Sequence, residues 1–344
     1  MYRRRKPVTE TKPPIPDTLE EFGYRLKENG EVRSISLDEP YVFDYLPKDR
    51  PYNEKRYDRF MDIIGDEIEK RLQAAPYDYQ KVYLPVGASE QEVHSYFYMT
   101  PNALTTTDKL LVMIPNNATR IGQWSKRVIC DQNIFTGSMM QVTELVKEKG
   151  YEAIILNTNG NFWHEGRAQN TFPAHASKII EIPGSETPEK HCEYVFEHFI
   201  KNAKAEKIAV MATGWGGHCF ALTLNHEFDF IRQKVKVIAM TDSAHGSDLI
   251  EGSDKRTFMF ENCINWIVNA KPKGEIVQDP RFGCTCISSA LEINDFTLTE
   301  MLNDIMKFIF VKMGDIEPDQ EEEEEDIEAL LAQEAEHLEI IEDP

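Results

Sequence analysis

Val210-Met211-Ala212-Thr213-Gly214-Trp215-Gly216-Gly217 is the stretch on which the reading of this 344-residue chain turns. Its apolar half predicts a buried strand, and its glycine-rich half predicts a tight corner opening into a helix. Strand, sharp turn and helix in that order are the setting of a nucleophile elbow. The central residue of such an elbow is Ser or Cys, held in a strained backbone conformation so that its reactive atom stands above the sheet. Here the central residue is Gly214. Glycine takes positive φ without a Cβ clash, so the corner survives while the atom that would attack a carbonyl is gone.

Outward from this corner, short apolar runs alternate with helical stretches. Leu110–Ile114, Ala153–Asn157, Lys207–Ala212 and Val235–Thr241 are expected strands of one mostly parallel sheet covered by helices on both faces. One intervening helix is expected to finish at Gly150. Another starts with Thr187 as N-cap and Pro188 in its first turn, and buries Cys192, Val195, Phe196, Phe199 and Ile200. Tyr57, Phe60, Met61, Ile64, Ile68 and Leu72 recur at helical spacing and predict an amphipathic helix over 53–73. Before it, Asn29-Gly30 predicts a hairpin with a two-residue turn and positive φ at both positions. A last helix is expected over 298–312. The fold class is therefore α/β, hydrolase-like, with a small N-terminal β hairpin and helix.

The ends differ in character from the body. Residues 1–19 carry Arg3-Arg4-Arg5-Lys6 and several prolines and are expected to form a disordered tail, in which the basic cluster is either an import signal or merely solvated. Residues 20–312 form the expected domain, and 313–344 an acidic tail. Residues 315–344 hold 15 Asp or Glu and neither Lys nor Arg, so the formal charge of −21 leaves −6 for everything before them. A body so nearly balanced argues against a broad nucleic-acid-binding face, which needs clustered positive charge. Ile327, Leu330, Leu331, Ala335, Leu338 and Ile341 fall at helical spacing in the tail, which either docks on a basic partner or folds back on its own domain. Six scattered cysteines fit reduced, mostly core thiols, and their spacing matches no common zinc site. No apolar run reaches membrane-spanning length, and neither a metal nor a cofactor is expected.

Several short motifs fall in a fixed order: Phe22-Gly23-Tyr24, Asn29-Gly30, Gly122-Gln123-Trp124, the elbow, Thr241-Asp242-Ser243-Ala244-His245, and Glu261-Asn262-Cys263-Ile264-Asn265-Trp266. Together they resemble the Argonaute-binding protein two family, whose animal members are called cotranscriptional regulators, and the resemblance runs from residue 20 to about 310. It implies an α/β-hydrolase-like fold and a role with Argonaute in small-RNA-directed heterochromatin formation and gene silencing or, in animals, alternative splicing. It also implies a nuclear location, with the cytoplasm as a second compartment, and only indirect association with small RNA.

Residue by residue, the chain departs from the family's pattern. The family's elbow reads His-Ser-Tyr-Gly-Gly where this chain has Thr213-Gly214-Trp215-Gly216-Gly217, so the serine does not carry over. Its His-Gly at the oxyanion-loop position is Pro115-Asn116 here, whereas Asp242 and His245 match. After His245 the only histidine is His337, within the acidic tail, so the late base of a hydrolase triad is missing. Removing a serine nucleophile costs roughly a million-fold in turnover, and one lost oxyanion donor about a hundred-fold.

The sequence thus predicts a pseudo-hydrolase acting through protein contacts. The second reading is an acyl hydrolase using Ser243 or Cys219. Against it, Cys219 is expected to point into packing, and Ser243 and His245, two apart on a loop, are not expected to reach attack geometry. A third reading is a small-molecule sensor with a ligand in the old pocket. Asp242 is expected to hydrogen-bond His245 as a structural leftover, Trp215 to pack over the elbow or to lid it, and Trp124 and Trp266 to anchor the core. Asn157-Thr158-Asn159-Gly160-Asn161 is either a binding loop or an ordinary turn.

Overall fold

The computed structural model describes residues 12–164, 166–169 and 180–318. Helix α1 (Leu19–Phe22) leads into an antiparallel hairpin of β1 (Tyr24–Leu26) and β2 (Val32–Ser34), followed by the long α2 (Arg50–Leu72). Then come β3 (Gln80–Leu84), β4 (Ser95–Met99), β5 (Lys109–Ile114), α3 (Lys126–Asp131), α4 (Met140–Glu148) and β6 (Glu152–Ile155). A small hairpin, β7 (Phe162–His164) with β8 (Arg167–Gln169), stands apart from the main sheet. The second half runs α5 (Pro188–His198), β9 (Lys207–Thr213), α6 (Trp215–His226), α7 (Phe228–Lys234), β10 (Val235–Thr241) and α8 (Ser253–Asn262). It ends with β11 (Cys263–Ile267), β12 (Ile276–Val277), β13 (Thr285–Ser288), α9 (Thr297–Glu300) and α10 (Leu302–Met313).

Nine strands form one sheet in the order β12-β13-β11-β10-β9-β5-β6-β4-β3. The six from β13 to β6 are mutually parallel, β4 runs antiparallel to β6, and β12 adds an antiparallel edge. Without the edge strand β12, the corner follows the fifth strand of eight, and the arrangement is α/β-hydrolase-like. Side-chain alternation along β5 explains the two covered faces. Leu111 and Met113 join a core built with α2, α4 and α10, while Leu110, Val112 and Ile114 join a second core built with α5, α6 and α8. Each fully buried Leu, Ile, Val or Met contributes about 2 kcal/mol of transfer free energy, so both faces resist exposure.

The predicted strands and helix caps lie where the patterns put them, with boundaries moved by a residue or two. Thr187 accepts a hydrogen bond from the Lys190 amide at 3.2 Å, and Gly150 follows α4 with φ 79°. Trp124 and Trp266 are buried in one core. The first hairpin differs from expectation. Lys27 and Glu31 close a longer loop with an N–H to carbonyl bond of 2.9 Å, and only Gly30 has positive φ. Asn29 instead accepts the Glu31 amide through its side chain at 3.1 Å, a local bond that removes any need for it to turn left-handed. The last helix is divided at the fully buried Met301, which keeps both flanking backbone bonds and so bends the chain at little cost. Asp315, just past α10, is tied to Lys109 and Tyr151. The basic cluster at residues 3–6 and the apolar positions of the acidic tail from 327 onward lie outside the described residues.

Candidate functional site

Strand β9 delivers Thr213 to its buried end, and Gly214 then turns the chain with φ 50° and ψ −117°. Two hydrogen bonds of 2.9 Å hold the corner: the Gly214 amide donates to the Thr241 carbonyl, and the Ala244 amide donates to the Gly214 carbonyl. The corner therefore has elbow geometry without the elbow's side chain. A Cβ placed at Gly214 would collide with the side chain of Asn116.

Asn116 follows β5 and Pro115, in the loop that supplies one oxyanion-hole donor in hydrolases. Its side-chain oxygen accepts the Trp215 amide at 2.9 Å and the Asn117 amide at 2.8 Å. Those two N–H groups, one just after the elbow's central residue and one on the loop after β5, are the positions that bind the oxyanion in an active enzyme. Here a neutral amide oxygen from the protein itself occupies the place. The Asn116 backbone is fixed as well, because its carbonyl accepts the Asn159 side chain and the Thr119 hydroxyl at 2.8 Å each. Asn159 and Asn161 thus spend their amides on neighbouring carbonyls, which is the turn-building role. Trp215 packs its ring on His218 at 4.3 Å and donates its indole N–H to Glu189 at 2.6 Å. Gly216 starts α6 against the end of β5.

Ser243 and His245 depart from expectation. The Ser243 hydroxyl lies 2.6 Å from His245 Nδ1, and His245 Nε2 lies 2.9 Å from the Phe282 carbonyl. A carbonyl can only accept, so Nε2 carries the proton, and Nδ1 accepts from the Ser243 hydroxyl. The loop reaches this geometry because the residue between the two turns outward to bond Gly214. Both side chains are nevertheless buried, and the Ser243 hydroxyl presses on Gly217 in the first turn of α6. Burial pulls the His245 pKa down to about 4, which keeps the ring neutral at pH 7.

Asp242 does not hydrogen-bond His245. Its Oδ1 accepts the Val268 amide at 2.8 Å, and its Oδ2 is buried with no hydrogen-bond partner. Desolvation accordingly holds its carboxyl above the usual range. The reason is directional: with φ 42° and its amide bonded to the Trp266 carbonyl, Asp242 faces β11 and not the Ser243–His245 pair. Cys219 is fully buried, and burial pushes its thiol well above the ordinary range, which leaves it a poor nucleophile. Among the described residues no histidine follows β13.

On the other side of the Asn116 loop lies a network that no sequence pattern signalled. Glu69 on α2 is buried and accepts the hydroxyls of Tyr96 and Tyr98 at 2.8 and 2.7 Å and the Arg120 guanidinium at 2.6 Å. Arg120 also reaches Asp66 at 2.6 Å. The carboxylates outweigh the burial that would otherwise discharge this guanidinium. The network fixes the segment between Arg120 and Trp124, and with it the start of the loop that carries Asn116.

Comparisons with known proteins agree with this architecture. The family profile described as the Arb2 domain matches residues 15–273. A protein of Xenopus tropicalis named cotranscriptional regulator ARB2A homolog is 30% identical over 345 residues, covering 88% of this chain and 81% of its own length. Its Gallus gallus counterpart is 31% identical, with 88% and 82% covered, and the Homo sapiens cotranscriptional regulator ARB2A is 30% identical, also with 88% and 82% covered. Among solved structures, a histone deacetylase from Saccharomyces cerevisiae is 14% identical with a TM-score of 0.46, over 74% of this chain and 97% of that one. With three quarters of its length matched by one profile, this chain belongs to the Arb2 domain family.

Proposed function

We propose that the chain is a pseudo-hydrolase that acts as a cotranscriptional regulator by binding proteins. One observation carries the loss of chemistry: Asn116 Oδ1 fills the space between the Trp215 and Asn117 amides, above a Gly214 that has no reactive atom. Nucleophile and oxyanion site are missing together, and the substituting group is part of the fold. The names of the relatives support the regulatory half. The finer role is Argonaute association in small-RNA-directed heterochromatin formation, gene silencing or splicing control, in the nucleus with a second pool in the cytoplasm. Small RNA then reaches the complex through the partner. The domain of residues 20–312 supplies the folded body, and the acidic tail of residues 313–344 contacts a basic protein surface.

Proximity labelling in cells, with and without residues 315–344, tests this. Argonaute, chromatin or splicing proteins should be labelled, and the set should shrink when the tail is removed. Recovery of none of them overturns the role.

The 2.6 Å Ser243–His245 bond favours one second reading, an acyl hydrolase with a non-standard nucleophile. A serine- and cysteine-reactive acyl probe distinguishes the two. Labelling lost in Ser243→Ala or Cys219→Ala supports the hydrolase, and no labelling supports the regulator.

A further inference from the structure

Gln123 is fully buried, and neither atom of its carboxamide has a hydrogen-bond partner. A donor and an acceptor left without water or protein are rare in folded chains and call for a cause. Gln123 lines a cavity of about 440 Å³ enclosed by α2, the β3–β4 edge and the loops after β5 and β6. That is the end of the sheet at which open α/β folds hold ligands. The cavity is distinct from the elbow, since Gly214, Trp215, Ser243 and His245 do not line it.

The walls narrow the chemistry. Tyr83 and His94 line one side with ring centroids 4.6 Å apart, and His94 is backed by Trp163 at 4.6 Å, which gives a firm aromatic surface. Three of the lining cations are already engaged. Arg120 bonds Glu69 and Asp66, Arg167 faces Asp62 at 3.7 Å, and Lys81 lies over the Tyr96 ring at 4.3 Å. Carboxylates of α2 stand along the same wall, so an anion entering here meets like charge. A planar, uncharged ligand with a donor and an acceptor side by side satisfies Gln123 and stacks on the aromatic surface. A nucleobase has that edge and that face.

We propose that this cavity binds an uncharged nucleobase or nucleoside, with the base edge paired to the Gln123 carboxamide and the ring laid against Tyr83 and His94. The site is independent of the regulator role, because it uses none of the residues on which that role rests.

Calorimetric titration of the full chain with adenosine and with inosine tests it, with AMP as the charged comparator. At least one nucleoside should bind, AMP should bind about tenfold more weakly or not at all, and Gln123→Met should weaken the nucleoside by about tenfold. A folded wild-type chain that binds neither nucleoside overturns the proposal, as does AMP binding as tightly as adenosine. Unchanged affinity in Gln123→Met overturns it too. If Gln123→Met repacks, Tyr83→Leu reads the same site from its half-buried wall. An affinity loss with an unchanged melting temperature is then expected, and an unchanged affinity overturns the stacking. None of these outcomes bears on partner capture, and failed partner capture leaves the titration unaffected.

Discussion

The side-chain oxygen of Asn116 stands 2.9 Å from the main-chain nitrogen of Trp215, and the same oxygen meets the Asn117 amide at 2.8 Å. Asn116 is thus an internal stand-in for an oxyanion. It satisfies two donors that an active site leaves free for substrate, and it does so over the one position where glycine removes the nucleophile. Asn116 and Gly214 behave as a pair: the amide fits only because there is no Cβ beneath it.

Gly214→Ser should therefore be destabilising, by about 2 kcal/mol from the left-handed backbone together with the clash on Asn116. Adding Asn116→Gly should relieve the clash, giving a favourable coupling of about 1 kcal/mol in a double-mutant cycle read by urea denaturation. The double variant should still show no ester turnover, because no histidine follows β13 among the described residues.

Asn116→Ala leaves the two amides without their acceptor. Solvent reaches this half-exposed corner, so the cost should be modest, about 1 kcal/mol. Amide hydrogen exchange should quicken at Trp215 and Asn117 and remain unchanged in β9. Protection that persists at both amides would show that another group had taken the oxygen's place.

Buried histidines should make the fold acid-sensitive. Desolvation lowers His191 to about 3 and His245 to about 4, and His191 is held between the Ser185 hydroxyl at 2.8 Å and the Asn157 amide at 3.1 Å. A histidine whose folded pKa is depressed contributes stability that is complete above its unfolded value near 6.5 and is lost as pH falls toward the folded value. Between pH 7 and pH 5 each ring should cost about 2 kcal/mol. His191→Gln should be less stable at pH 7 and should lose about 2 kcal/mol less over that interval. An equal slope in the variant would place the acid sensitivity elsewhere.

Glu69 holds Arg120, Tyr96 and Tyr98 in one buried group. Glu69→Gln keeps an acceptor but leaves the guanidinium without its closest charge, and should cost about 3 kcal/mol. Glu69→Gln combined with Arg120→Met should recover part of that loss. Purely additive losses in thermal unfolding would show that the two side chains do not act together.

Local patterns made much of the fold legible before any coordinates. Apolar runs marked β5, β6, β9 and β10, and cap chemistry marked the ends of α4 and α5, because strand burial and helix capping are set by near neighbours in the chain. The strands β3, β4, β11 and β13 escaped notice. Tyr83, Tyr96 and Lys81 face a polar cleft, and Cys286 lies between half-exposed neighbours, so these strands lack a continuous apolar run.

The sequence by itself determined that the elbow has no reactive side chain and that no triad histidine follows in the body, since both are statements about which atoms the chain contains. Only the tertiary structure decided what stands in the vacated place. Asn116 and Trp215 are 99 residues apart and meet because β5 and β9 are adjacent parallel strands whose ends open onto the same corner. The same holds for Ser243 and His245, which the local spacing seemed to keep apart. Their contact depends on the Ala244 amide being drawn out to Gly214, a bond between strands that no local pattern encodes.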